Sequence, residues 1–144
     1  QLVDTLLQEG VRELSDLISV VSAGDFHEEL KRCGVGKLGQ RQKLAVLVQP
    51  YQQALRKKEQ GNALYKEARF EEAIRSYDAA IAGMQCHTTD LALNCFANRA
   101  ACYQQLREPQ KALHDTLHVL RFDPDNGKAR ARKIVYEQAI AADS

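Results

Sequence analysis

The chain has 144 residues, of which 44% are hydrophobic and 27% are charged, and its formal net charge is +1. A chain of this length can bury one core, or two small cores that pack together. The near-neutral charge argues against nucleic-acid binding driven by bulk positive charge, and the short apolar runs argue against a membrane span.

The chain begins at Gln1 without a charged segment followed by an apolar one, so we expect part of a longer protein with no secretion signal. Its cysteines form no CxxC pair and no disulfide-framework spacing. They are Cys33, Cys86, Cys95 and Cys102. Reduced thiols and a cytoplasmic location are therefore the interpretation.

Residues 1–49 predict several short helices separated by glycine turns, the last helix beginning after Gly36. The segment resembles a sterile alpha motif domain, because a run of its residues matches the hallmark of that domain. The matching residues are Leu30, Val35, Lys37, Gly39, Arg41, Lys43 and Leu44. The resemblance implies a small helical bundle over residues 1–49.

Sterile alpha motif domains commonly associate head to tail, and the resemblance implies an interaction surface that contains Lys37, Arg41 and Lys43. These basic residues lie at the predicted start of the last helix, whereas acidic residues lie in the middle of the segment. Opposite charges on two surfaces favour self-association or pairing with a second domain of this type. Ordinary solvated charges would give the same pattern, so both interpretations stay open at this point.

Pro50 is predicted to separate two domains, because proline more often opens a helix than continues one. After it, apolar and small residues recur at helical spacing, and no stretch alternates with the period of a strand. We therefore predict an all-α fold, with one domain over residues 1–49 and a second over residues 50–144.

An internal repeat is the strongest signal after Pro50. Gly61 is followed twelve positions later by Ala73, and Ala100 is followed at the same spacing by Ala112. Each copy predicts a helical hairpin, with small residues where its two helices touch. Bulky residues are expected to fill the seam, namely Leu64, Phe70, Ile74, Tyr77, Tyr103, Leu106, Leu113 and Leu117. Such a hairpin cannot bury its apolar face alone, so the copies are expected to stack.

The pattern resembles the tetratricopeptide repeat, a helix-turn-helix module of about 34 residues. The resemblance implies repeats over residues 54–87 and 93–126, followed by a half repeat over residues 127–142. Extra residues between Gly83 and Asp90 should lengthen the second helix of the first repeat or the loop after it. The half repeat has Ile134 where a small residue is usual.

In a tetratricopeptide array the first helices of successive repeats line the concave face. Lys58 and Asn62 share one face of such a helix because they are four residues apart. Asn98 follows on the next first helix, and Lys128 and Arg132 follow on the third. Together they direct hydrogen-bond donors and positive charge to one place, which suits an anion with several oxygens.

This set resembles the carboxylate clamp of co-chaperone tetratricopeptide domains, which grip the Glu-Glu-Val-Asp C-terminus of the chaperones Hsp70 and Hsp90. The matching motifs are KxxxN at 58–62, the asparagine of NRAACY at position 98, and KAxxR at 128–132. The resemblance implies that Lys58, Asn62 and Asn98 hold the terminal main-chain carboxylate. Lys128 and Arg132 would then meet the aspartate side chain or a glutamate upstream of it.

No group of residues in the sequence points to catalysis. His114 and His118 have the i, i+4 spacing of a zinc-binding helix, but Asp115 stands where the general-base glutamate belongs, and no third ligand is obvious. We interpret them as exposed histidines. The expectation is a chain that is not an enzyme and uses neither a metal nor another cofactor.

The favoured interpretation is a cytoplasmic adaptor, or co-chaperone, that binds the acidic tails of Hsp70 or Hsp90 and neither nucleic acid nor membrane. A second interpretation is a scaffold that associates through its sterile alpha motif domain, while the repeats bind an unrelated partner. A third is a piece of an enzyme whose catalytic domain lies elsewhere. The sequence does not choose between the Hsp70 and Hsp90 tails.

Overall fold

The structure is a computed structural model that describes residues 38–84 and 87–143, with the side chains from residue 49 onward. These residues form five α-helices and no strand, which confirms the predicted all-α class for this part of the chain. The helices are α1 (Leu38–Lys66), α2 (Phe70–Gly83), α3 (Asp90–Gln105), α4 (Pro109–Phe122) and α5 (Gly127–Ala142). None of the helices described here is long and apolar enough to cross a membrane.

The predicted sterile alpha motif domain lies almost entirely outside the described residues. Lys37 is not among them, and for Arg41 and Lys43 the structure describes only a helical backbone within α1. The domain and its interaction surface therefore stay predictions.

Pro50 lies inside α1, and the prediction that it opens a helix is wrong. Proline has no backbone N–H, so the carbonyl of Val46 lacks its usual helical hydrogen bond. The fixed φ of proline is nevertheless close to the helical value, so a helix of 29 residues can continue through it. The domain boundary between residues 49 and 50 stays a prediction.

Two helical hairpins, α1 with α2 and α3 with α4, are closed by the same kind of turn. In the first turn Ala68 has a φ of 60°. The N–H groups of Ala68 and Arg69 donate to the carbonyls of Tyr65 and Leu64 at 3.0 and 2.9 Å. This pair of bonds ends a helix in the Schellman manner, and the second turn repeats it around Arg107, with a φ of 59°.

Small residues lie where the helices of each hairpin touch, as the repeat predicts. Gly61 is buried, and a Cβ built on it would come within 2.7 Å of the Tyr77 ring. Ala73, Ala100 and Ala112 are completely buried. Each hairpin therefore depends on a close approach of its two helices at these positions.

The prediction that Leu117 fills the seam is wrong, because 44% of this residue is exposed. The buried stripe of α4 instead follows Ala112, Thr116 and Val119, which recur at helical spacing. Leu117 comes directly after Thr116, so the turn of the helix carries its side chain away from this stripe.

The hairpins stack on each other, and α5 packs on α4. Residues from all five described helices share one core cluster, which includes Ala54, Ile81, Phe96, Val119 and Ala129. The fifth helix therefore packs on the second hairpin, and the division of the chain into repeats stays a prediction.

The extra residues of the first repeat do not lengthen its second helix, because α2 and α4 both contain 14 residues. They lengthen the connection over residues 84–89, compared with 123–126 after α4. They also extend the start of α3, which begins at Asp90, before the predicted repeat boundary at residue 93. The Thr89 side chain accepts a hydrogen bond from the N–H of Ala92 and so caps this earlier start.

Candidate site for an anionic ligand

Four of the five predicted anion-binding residues line one cavity of about 430 Å³. They are Asn62 on α1, Asn98 on α3, and Lys128 and Arg132 on α5. The remaining lining residues are Tyr65, Lys66, Tyr77 and Ala101. Helix stacking thus gathers side chains that lie up to 70 positions apart in the sequence.

Lys58 is not among the residues that line this cavity. It is half-buried on α1, one helical turn before Asn62. Lys58 also lies close enough to α3 for its charge to act on Cys95 of that helix. Burial raises the pKa of the Cys95 thiol to about 11, and the positive charges of Lys58 and Arg99 oppose that rise.

The amide oxygen of Asn62 is held by two donors at the wall of the cavity. The Tyr77 hydroxyl donates to Asn62 Oδ1 at 2.6 Å, and Asn98 Nδ2 donates to the same oxygen at 3.0 Å. Burial is the main cause that raises the pKa of the Tyr77 phenol above its ordinary value, so the hydroxyl is neutral and able to donate. Asn62 Nδ2 has no acceptor among the described residues and is left to donate to a ligand.

The start of α5 supplies two cations to the cavity. Asn126 caps this helix by accepting a hydrogen bond of 3.0 Å from the N–H of Ala129. Arg132 lies one turn after Lys128, and its Nη1 donates to the carbonyl of Ala97 at 3.3 Å, which leaves other guanidinium N–H groups for a ligand. Lys128 is exposed and forms no ion pair with a described residue.

A smaller cavity of about 130 Å³ shares Asn98, Lys128 and Arg132 with the first one. It extends toward Asn94 and Thr116. None of the described residues that line the two cavities is Asp or Glu. The site thus combines positive charge and amide donors without a competing carboxylate, which suits a ligand with several anionic oxygens.

Four residues of the cavity wall are not among the predicted site residues, namely Tyr65, Lys66, Tyr77 and Ala101. Tyr77 was predicted as a seam residue, and its pattern gives no sign that its hydroxyl reaches Asn62. Lys66 could have been found, because it follows Asn62 by four residues and hence lies on the same face of α1.

The interpretation of both zinc-spaced histidines as exposed fits His114 but only partly His118, which is half-buried. His114 is exposed, but the His118 ring stacks on Phe96 with centroids 4.0 Å apart. His118 Nε2 also forms a hydrogen bond of 2.9 Å with the carbonyl oxygen of His87. The described residues contain no group of His, Cys, Asp and Glu that could hold a metal ion.

No family model and no solved structure matches the chain. Curated relatives, in contrast, are similar over more than half of it. The chain is 34% identical over 89 residues to the "Hsp70/Hsp90 co-chaperone CNS1" of Saccharomyces cerevisiae, which is 62% of this chain and 23% of that protein.

Two further relatives match a similar share of the chain. The "DnaJ homolog subfamily C member 7 homolog" of Schizosaccharomyces pombe is 39% identical over 85 residues, 58% of this chain and 17% of that protein. The "Hsp70-Hsp90 organizing protein 3" of Arabidopsis thaliana is 33% identical over 76 residues, 53% of this chain and 13% of that protein. The chain thus spans a quarter or less of the length of these relatives. Its homologues include two proteins named as Hsp70/Hsp90 co-chaperones.

Proposed function

We propose that the helical repeats bind the acidic C-terminal tail of an Hsp70 or Hsp90 chaperone, and that the chain acts as an adaptor rather than as an enzyme. The observation that carries the proposal is the convergence of Asn62, Asn98, Lys128 and Arg132 from three helices on one cavity. The similarity to proteins named as Hsp70/Hsp90 co-chaperones supports the choice of ligand.

The terminal main-chain carboxylate of the tail accepts hydrogen bonds from the side-chain amides of Asn62 and Asn98. Asn62 has its NH₂ group left for this purpose, because its oxygen already accepts from Tyr77 and Asn98. Lys58 lies one turn before Asn62 on α1, outside the cavity lining, and adds positive charge on this side of the site. Two amides and a cation suit a carboxylate, whose two oxygens accept several charge-assisted bonds.

Lys128 and Arg132 meet the side-chain carboxylate of the last residue, or that of a glutamate upstream. Arg132 is already oriented by its bond to the Ala97 carbonyl, so less conformational freedom is lost on binding. Lys128 is exposed and can follow the position of the ligand. Two cations on adjacent turns of α5 thereby distinguish an acidic tail from a neutral one.

The affinity of this mode of binding is modest. A tail of a few residues buries little surface, so we expect a Kd on the order of micromolar. Because the contacts join charges near the surface, the affinity should fall as salt concentration rises.

The direct test is a titration with a fluorescent peptide that ends in Glu-Glu-Val-Asp, against the same peptide with an amidated C-terminus. The free acid should bind at least about 10-fold more tightly, because the amide removes a charge and acceptor oxygens. Equal affinity for the two peptides would contradict the carboxylate mechanism. Longer peptides with the tail sequences of Hsp70 and Hsp90 would then decide which chaperone is preferred.

A further inference from the structure

We infer that Tyr77 is a positioning residue for the ligand carboxylate, because its hydroxyl holds the Asn62 amide with the NH₂ group toward the cavity. The inference rests on the proposed function, since it concerns the same site. It adds a residue that does not itself need to touch the ligand.

The position of Tyr77 is set by its surroundings. Only 1% of the residue is exposed, and its ring lies against Gly61, where a Cβ would come within 2.7 Å of Cε1. The Tyr77 hydroxyl therefore lies at the wall of the cavity, 2.6 Å from Asn62 Oδ1. Among the described residues no second acceptor for this hydroxyl is found.

The hydrogen bond from Asn98 does not fix the orientation of Asn62 by itself. In the observed arrangement Asn98 Nδ2 donates to Asn62 Oδ1. If both amides rotated by half a turn, Asn62 Nδ2 would donate to Asn98 Oδ1, and the number of bonds between the two side chains would be unchanged. Asn62 would then present an oxygen to the ligand, which repels a carboxylate.

Tyr77 makes the two arrangements unequal. In the observed arrangement its hydroxyl has an acceptor, whereas after the rotation it would face an NH₂ group and lose the acceptor for its proton. A buried donor without an acceptor is unfavourable, so the arrangement that offers a donor to the ligand is preferred. This converts an amide that could either donate or accept into one that donates.

A double-mutant cycle tests the inference. The wild-type chain, Tyr77→Phe, Asn62→Ala and the double variant are each titrated into a fluorescently labelled free-acid Glu-Glu-Val-Asp peptide. The fluorescence anisotropy of the peptide gives each Kd. Tyr77→Phe keeps the ring against Gly61 and removes the hydroxyl alone. We expect it to weaken binding about 3- to 10-fold in the wild-type background and to have no further effect once Asn62 is alanine.

Tyr136→Phe is the matched control. Tyr136 is also 1% exposed, and its hydroxyl also donates to a side-chain amide, that of Gln104 at 3.0 Å. Tyr136 does not line the cavity. The control should lose a comparable amount of stability in thermal unfolding but keep the affinity for the peptide.

Three outcomes would overturn the inference while leaving the proposed function standing. These are wild-type affinity in Tyr77→Phe, the same fold-change with and without Asn62, and an equal loss of affinity in Tyr136→Phe. If the wild-type chain does not bind the free-acid peptide, the proposed function fails first, and a role in positioning a carboxylate fails with it.

The orientation of the Asn62 amide can also be tested by NMR in the absence of peptide. The side-chain NH₂ resonances of Asn62 in ¹⁵N NMR spectra should shift and gain mobility in Tyr77→Phe, but stay unchanged in Tyr136→Phe. Unchanged Asn62 resonances in Tyr77→Phe would also overturn the inference, whatever the peptide does.

Discussion

The guanidinium of Arg99 on α3 forms a two-point contact with the carboxylate of Asp115 on α4. Nε and Nη2 of Arg99 donate to the two carboxylate oxygens at 2.8 and 2.6 Å, and Nη1 donates to Asp78 on α2 at 2.8 Å. Burial alone would lower the pKa of Arg99, but the bonds to Asp115 and Asp78 raise it overall. One cation therefore joins three helices, directly beside Asn98 of the candidate site.

The first prediction concerns this contact. Only 1% of Asp115 is exposed, so Asp115→Asn leaves a partly buried guanidinium without its main counter-charge. We expect the free energy of unfolding to fall by about 3 kcal/mol, in the range for breaking a buried ion pair. Urea unfolding followed by circular dichroism measures it.

Asp78→Asn is the control for this pair, because Asp78 bonds the same guanidinium but is about half exposed. Its loss should cost less than about 1 kcal/mol. Equal losses of unfolding free energy in the two variants would show that burial of the Asp115 carboxylate does not strengthen its contact with Arg99.

The second prediction concerns the close approach of α1 and α2. A Cβ at position 61 would come within 2.7 Å of the Tyr77 ring, and the ring is buried and cannot move freely. Gly61→Ala should therefore lower the free energy of unfolding by about 1–3 kcal/mol, despite the higher helix propensity of alanine.

The same substitution at Gly83 is a matched control. A Cβ there would meet nothing within 4 Å, so Gly83→Ala should be neutral or slightly stabilising. Thermal unfolding of both variants decides the matter, and a loss at Gly83 as large as that at Gly61 would contradict the steric explanation.

The third prediction is a pH dependence of cysteine reactivity. Burial raises the pKa of the Cys95 and Cys102 thiols to about 11. Because a raised pKa keeps the thiol neutral until the pH approaches that value, roughly one thousandth of each group is thiolate at pH 8. Both residues are also completely buried.

Iodoacetamide at pH 8 should leave Cys95 and Cys102 unmodified in the folded chain and modify them in urea. Peptide mapping by mass spectrometry reads each cysteine separately, so the other two do not interfere. Rapid modification of Cys95 in the folded chain would show that its surroundings do not suppress the thiolate.

The fourth prediction concerns the charge of the candidate site. Arg132→Met should weaken binding of the free-acid peptide about 10-fold or more, because a charge-assisted hydrogen bond is lost. It should also reduce the dependence of the Kd on salt concentration. Both quantities come from anisotropy titrations over a series of salt concentrations.

Arg121→Met is the matched control, since Arg121 is exposed on α4, lies over the Phe122 ring and lines neither cavity. Its affinity should stay within about twofold of wild type. A loss as large as that of Arg132→Met would indicate a general effect of net charge instead of a local site.

The repeat spacing predicted much of the fold, because it records contacts that recur. Gly61, Ala73, Ala100 and Ala112 were identified as the close-contact positions from spacing alone, and all are buried. The seam prediction fails at Leu117, because an apolar residue next to a buried stripe looks the same in sequence as one within it. The prediction also fails at Pro50. Proline more often begins a helix, but its fixed φ also fits a helix interior, where only one backbone hydrogen bond is lost.

The candidate site was predicted in part for a similar reason. Asn62, Asn98, Lys128 and Arg132 lie at different positions along the first helices of successive hairpins, so their convergence follows from the helix stacking that the repeat predicts. The contacts of Tyr77 with Asn62 and of Arg99 with Asp115 could not be predicted. Each joins polar atoms of different helices, and helical periodicity of apolar residues does not report which polar side chains face each other.

Ile134 occupies the position on α5 that Gly61 and Ala100 occupy on α1 and α3, and 55% of it is exposed. A helix that packed on α5 in the way that α2 packs on α1 would meet a branched side chain in place of a bare backbone. It would have to settle at a wider axis-to-axis separation, or at another crossing angle. The hairpin geometry of this array is therefore not one that α5 can propagate unchanged.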